Sequence, residues 1–302
     1  MGTGLKLIKT GTQTSSFGTS GRINHDSSKF YGSRLYEGLK TSDATKYIEN
    51  KLGDKIIDSI FCSSSDNMKE LPDNCIHLMI TSPPYNVTKE YDEDLSLEEY
   101  KDLLYRVWKE TYRVLVPGGR VCINIANLGR KPYIPLHSYI IEQMAALGFL
   151  MRGEIIWNKA SSASPSTAWG SWLSAANPVL RDIHEYILIF SKGSYSLQSK
   201  GKKSDMTKEE FLEWTKSVWT FSAVSAKKIG HPAPFPEELP RRLIKLFSFK
   251  GDIILDPFVG SGTSCLSALK NDRHYIGYDV NKKYVTLAEN RIAQFIEQEK
   301  LF

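Results

Sequence analysis

The sequence has little cysteine: four residues in 302, Cys62, Cys75, Cys122 and Cys265. No two form a C-x-x-C spacing and no histidines cluster beside them, so neither a metal site nor a disulfide framework is expected. Free thiols in and beside apolar runs behave as small hydrophobes and fit a reducing compartment. No stretch of about 18 apolar residues occurs, so no helix is expected to span a membrane. The first residues are rich in Gly, Ser and Thr and lack the apolar centre of a signal peptide. A glycine-rich stretch near residue 260 lacks the Gly-Lys-Ser/Thr of a phosphate-cradling loop, and Cys265 stands where a dinucleotide fingerprint needs its third glycine. Charge of either sign is unremarkable. The net +5 admits a polyanionic partner without demanding one.

What is present is alternation. Strand-like runs at 55–61, 76–81, 120–125, 154–158, 186–191, 252–256 and 275–279 are rich in Val, Ile and Leu, as strands covered on both faces are. Helical spacing marks 97–116, which stops at Pro117-Gly118-Gly119, then 136–147 and 237–249, and a last helix opened by Asn281. Strands interleaved with helices predict an α/β fold. The expectation is a Rossmann-like, doubly wound, mostly parallel sheet of seven strands. Residues 1–50 read as an N-terminal arm and 51–302 as one domain, with interruptions at 160–183 and 192–230.

Two loops carry chemistry. In the first, a strand ends in Asp256, then Pro257, Phe258, Gly260, Ser261, Gly262 and Thr263 lead into a helix. Glycines allow close approach of backbone to ligand, and a helix start offers free N–H groups. The acid before the turn suits a ligand bearing an ammonium and a carboxylate, the amino-acid end of S-adenosylmethionine. Asp279, at the end of the next strand, is placed to accept from ribose hydroxyls; the alternative is a helix cap. The second loop, Ser82-Pro83-Pro84-Tyr85, follows the strand 76–81. Paired prolines are rigid and donate nothing. A Ser82 hydroxyl beside the Pro83 carbonyl would accept both protons of an aromatic amine, with the Tyr85 ring as a stacking wall.

The two motifs in this order resemble the amino-methyltransferase class of DNA methyltransferases, in its β-type arrangement with circularly permuted motifs. The resemblance covers residues 50–298. It implies an S-adenosylmethionine-dependent enzyme. Asp256, Pro257, Phe258, Gly260, Ser261, Gly262, Thr263 and Asp279 would hold that cofactor, and Ser82, Pro83, Pro84 and Tyr85 would face the target base. His231–Pro236 resembles a segment that closes over the cofactor, through Phe235. Many relatives carry Gly-Asp after the first strand. Here the place reads Cys62-Ser63, and Ser63 is the candidate adenine contact. Relatives with Ser in the first motif position usually methylate cytosine N4, and those with Asp usually adenine N6. Cytosine N4 is therefore expected, with adenine N6 the alternative and an RNA or a protein amide a remoter one. Carbon-5 methylation is disfavoured because no cysteine follows a proline.

Double-stranded DNA is the expected partner, together with a cognate restriction endonuclease. The protein is expected to be a monomer or homodimer in a prokaryotic cytoplasm, nucleoid-associated. The interruptions would form a small target-recognition insertion. Trp169, Trp172 and Arg181 would wedge and read bases, and Lys200, Lys202 and Lys203 would meet phosphates.

Overall fold

A computed structural model describes residues 31–39, 45–84, 95–159, 170–223 and 235–299. The chain divides into two compact units, residues 1–41 and 42–302. In the first, Arg34–Tyr36 form a short 3-10 turn and Tyr31 sets its ring edge against Tyr36, with centroids 5.1 Å apart. Residues 45–50 belong to the second unit rather than to an arm. Asn50 pairs with the Asn74 carbonyl at 2.8 Å, and Glu49 reaches His77.

The second unit is built on one sheet. Its strands are β1 (Ser59–Phe61), β2 (Ile76–Thr81), β3 (Leu115–Ile125), β6 (Phe149–Asn158), β7 (His184–Lys192), β8 (Val218–Thr220), β9 (Ile253–Asp256) and β10 (His274–Tyr278). They lie in the order β1-β10-β9-β2-β3-β7-β6-β8. Pairing is parallel except at β3–β7 and β7–β6. The sheet thus has eight strands where seven were expected. The addition is β8, a three-residue edge strand inside the 192–230 interruption, too short to show a period. A separate hairpin, β4 (Leu128–Gly129) with β5 (Tyr133–Ile134), follows β3.

Helices cover both faces. On one lie α1 (Leu97–Val114) and α2 (Leu136–Ala146), which bury Leu104, Val107, Trp108, Ile140 and Met144 against Met79, Val121 and Ile123. On the other lie α4 (Glu238–Phe247), α5 (Thr263–Lys270) and α6 (Lys282–Glu299), with Leu239, Leu243, Leu266 and Ile292 against Leu78, Ile80 and Ile254. Residues of β2 and β9 therefore meet apolar layers on both sides, which is why most of their positions are apolar. The short helix α3 (Lys208–Trp214) brings Trp214 to the second layer beside Trp219 of β8.

Local chemistry explains most boundaries. The Ser96 hydroxyl accepts the Glu99 N–H while Glu99 accepts the Ser96 N–H, a reciprocal cap that starts α1. The Asn281 carboxamide oxygen accepts the Lys283 N–H and starts α6. The Pro117-Gly118-Gly119 break does not end α1. The helix stops at Val114, and the break lies within β3, where the register against β2 jumps from Ile76↔Leu115 to Leu78↔Arg120. Gly118 is required there. Its φ is +82°, and a Cβ would stand 2.1 Å from the Ser196 carbonyl oxygen.

Candidate active site

The C-terminal ends of the parallel strands form one rim. The registers Phe61↔Tyr278, Gly277↔Asp256, Met79↔Leu255 and Thr81↔Ile123 bring Ser63, Asp279, Asp256, Ser82 and Asn124 to that rim in order. Ligands of open α/β sheets bind at this rim, where connections diverge to opposite faces. The two loops singled out in the sequence, far apart along the chain, are neighbours here.

One bond joins them. The Thr81 hydroxyl donates to Asp256 Oδ1 at 2.7 Å, and the Phe258 N–H donates to the same oxygen at 3.1 Å. Asp256 is buried at 2% exposure. Burial pushes its pKa up to about 6, against the lowering effect of the Thr81, Ser264 and Phe258 hydrogen bonds, and the nearby Asp279 charge adds to the rise. The Asp279 carboxyl is also raised by burial, although it accepts the Gly260 N–H at 3.0 Å and the Asn281 N–H at 2.8 Å. Asp279 therefore braces the turn that leads into the last helix and ties down the glycine loop.

The glycine loop is held from below. The Val259 N–H donates to the Tyr278 carbonyl at 2.8 Å. Arg291 of α6 donates to the Ser261 carbonyl and to the Thr263 hydroxyl. Gly262 has φ +78°, and a Cβ on it would stand 2.7 Å from the Ala288 Cβ, so the loop packs on α6 only through glycine. Pro257 is buried, and Phe258 sets its ring edge toward Trp108 with centroids 6.4 Å apart. Phe235 packs on the second apolar layer. Ser63 follows β1, and its hydroxyl is buried with no hydrogen-bond partner. A buried unpaired hydroxyl on the same rim as Asp279 and Asp256 fits a polar ligand such as an adenosine. The donor set fits S-adenosylmethionine: carboxylates for the ammonium and ribose, glycines for close approach.

Ser82 and Pro84 are half-buried and Pro83 is buried. Tyr85 and Trp169 lie outside the described residues, as does His231–Pro234. Trp172 and Leu173 are 66% and 89% exposed, and Arg181 is exposed. They sit on a loop closed by the Ser171 N–H bond to the Asn177 carbonyl and by Ser171 and Ser174 side-chain bonds. That loop enters β7 at His184, on the same rim as Ser82. Arg130, between β4 and β5, pins it through the Leu180 carbonyl at 3.1 Å and Asp182 at 2.8 Å.

The structure does not bring Lys200 and Lys202 to this rim. Lys202 lies 2.6 Å from Asp252, at the N-terminal start of β9, and Lys200 lies 2.7 Å from Glu49. Glu49 in turn accepts from His77 Nε2 at 3.1 Å, while His77 Nδ1 accepts the Ile253 N–H. Burial lowers the His77 pKa and keeps the ring neutral. Asp252 and Asp256 are four positions apart along the strand, roughly 13 Å. Both lysines thus neutralise carboxylates at the far rim, and Lys203 is exposed in the same segment. Asp252 is 1% exposed. Lys202→Ala is expected to cost roughly 1–3 kcal/mol in chemical denaturation, less than a fully buried pair because Lys202 is partly solvated. The salt dependence of DNA binding should stay unchanged; a shallower slope by about one unit would place Lys202 on a phosphate.

Asn124, Glu185 and Arg130 were not singled out from the sequence. A lone Asn inside Val-Cys-Ile-Asn-Ile was the available signal, since a polar side chain in a buried strand needs a reason.

A sheet wound in this way, with acids at adjoining strand ends flanking a glycine loop, defines a methyltransferase fold dependent on S-adenosylmethionine. The chain belongs to the N6/N4 DNA methylase family, whose family model matches residues 76–290. It is 35% identical over 289 residues to the Type II methyltransferase M.MjaI of Methanocaldococcus jannaschii, covering 80% of this chain and 92% of that one. Among solved structures it is similar to a putative DNA modification methylase of Thermus thermophilus, TTHA0409, complexed with S-adenosyl-L-methionine. That match has a TM-score of 0.62 at 31% identity, covering 78% of this chain and 94% of that one. The PvuII DNA methyltransferase, cytosine-N4-specific, shares the fold with a TM-score of 0.61 at 21% identity, over 76% of this chain and 84% of that one. Among the described residues no helix is long and apolar enough to cross a membrane, and no His, Cys, Asp and Glu cluster suits a metal ion.

Proposed function

We propose that this DNA methylase transfers its methyl group to the exocyclic N4 of cytosine in double-stranded DNA, as the modification enzyme of a restriction–modification pair. The observation that carries the reading is the Thr81–Asp256 bond, which sets Ser82 directly beside the loop that would hold the methyl donor. Ser rather than Asp in the first motif position supports cytosine over adenine.

S-adenosylmethionine supplies an electrophilic sulfonium methyl. Asp256 can accept about four hydrogen bonds. Thr81 and Phe258 account for two, both on Oδ1, which leaves capacity for the donor's ammonium. Asp279 would take the ribose hydroxyls and Ser63 the adenine. The target base must leave the duplex stack for its amine to reach this rim. Tyr85 would stack on the extruded ring. Cytosine N4 is a poor nucleophile because its lone pair is delocalised into the ring. The Ser82 hydroxyl and Pro83 carbonyl, pulling on the two amine protons, localise that pair on nitrogen. No strong base is needed, since the nitrogen becomes acidic as it gains positive charge. The chain contributes position and pre-aimed acceptors. Trp172 and Arg181, on the same rim, would contact the DNA around the extruded base.

Incubation with DNA and labelled donor, followed by digestion to nucleosides, tests the assignment. N4-methylcytosine is expected. Label found only in N6-methyladenine would overturn it.

A further inference from the structure

Asn124 interrupts the apolar run Val121–Ile125 and is 2% exposed. Val121, Ile123 and Ile125 face one apolar layer and Cys122 the other, so alternation puts Asn124 on the face of Cys122. Leu78 and Ile80 of β2 share that face. Thr81, the last residue of β2, pairs with Ile123, so Ser82 and Asn124 are the next residues along the two neighbouring chains.

The Asn124 amide nitrogen donates to Glu185 Oε2 at 2.6 Å, and Lys159 holds the other Glu185 oxygen at 2.8 Å. A carboxylate can only accept, so the NH2 group must face Glu185 and Oδ1 must face away from it. That Oδ1 is buried and has no hydrogen-bond partner. Buried acceptors are rarely left so.

A hydroxyl that receives an N–H from a substrate amine still has its own proton to place. We propose that Asn124 is a positioning residue for Ser82: its Oδ1 accepts the Ser82 hydroxyl proton and turns the hydroxyl lone pairs toward the target amine. Glu185 and Lys159 hold the carboxamide in that orientation. Ser82 and Pro83 already account for both amine protons, so Asn124 acts through Ser82 rather than on the base. The inference rests on the role given to Ser82 above.

A double-mutant cycle in single-turnover methyl transfer tests it. Asn124→Leu keeps the shape and removes the acceptor. It should slow transfer about as much as Ser82→Ala, roughly a hundredfold by analogy with loss of one pre-aimed polar group. Donor affinity and KM for DNA should be unchanged. The double variant should be no slower than Ser82→Ala alone. Losses that multiply, or an Asn124→Leu rate within about threefold of the unaltered protein, would overturn the inference. Asn124→Asp with Glu185→Gln reverses the hydrogen bond and keeps an acceptor toward Ser82. It should recover to within about tenfold of the unaltered rate, and a rate as low as Ser82→Ala would also overturn the inference. No transfer by the unaltered protein to any DNA counts instead against the proposed activity.

Discussion

Asp256→Asn is expected to make the free protein more stable and to abolish its use of the methyl donor. The buried carboxyl titrates near 6 in the folded chain, against 3.8 for the ordinary group, so its ionised form is disfavoured by about 3 kcal/mol. The sign follows from proton uptake. Between pH 4 and 6 the folded chain holds a proton that the unfolded chain releases. The stabilisation is full below about 4 and is lost as pH rises through 6. Asparagine keeps an acceptor for Thr81 and Phe258 without the charge. The gain in unfolding free energy should therefore appear at about pH 7 and vanish toward about pH 4. Calorimetric titration with S-adenosylmethionine should show affinity lost by at least about a hundredfold, since the ammonium loses its buried counter-charge. For the unaltered protein, affinity should be flat above about pH 7 and weaken about tenfold per unit below about 6. An Asp256→Asn protein that is less stable at neutral pH, or that binds normally, would remove Asp256 from the site.

Tyr85→Ala carries the second large effect. Stacking of a base on an aromatic ring is worth about 1–3 kcal/mol, or some ten- to a hundredfold in rate if the extruded base relies on it. Donor affinity should not change, because the contacts proposed for the donor follow β9, β10 and β1. The measurement is kcat and KM with duplex DNA alongside donor titration. Unchanged turnover would discard the stacking role, and lost donor affinity would move Tyr85 to the donor side of the cleft.

What was legible in the sequence was whatever local chemistry determines. Strand β2 appears with its expected bounds because Ile76 and Met79 on one face and Leu78 and Ile80 on the other are apolar, and β2 lies between helical layers. The cap at Asn281 and the start at Leu97 were readable because capping needs only neighbours in sequence. The glycine loop was readable because positive φ at Gly260 and Gly262 is a local demand, although its packing on the last helix is not. What failed depends on which rim a segment reaches. Lys200 and Lys202 looked like phosphate ligands because a lysine-rich stretch carries no record of the carboxylates it will meet. Glu49 and Asp252 lie far from it in sequence, and only the fold puts them together. Pro117-Gly118-Gly119 looked like the end of a helix because proline and glycine disrupt helices and strands alike. Only the register jump against β2 shows it as a bulge. Asn124 was overlooked because its meaning comes from Ser82 and Glu185 on two neighbouring strands.

The most direct test of this arrangement is a crystal structure with an analogue of S-adenosylmethionine that cannot give up its methyl-equivalent group. Its amino-acid end should lie on Asp256 and the glycine loop, and its ribose on Asp279. The group in place of the methyl should point at Ser82 and the Pro83 carbonyl, leaving room for one amine nitrogen at roughly 3–3.5 Å. An analogue bound beside Asp252 and Lys202, or one turning that group away from Ser82, would contradict it.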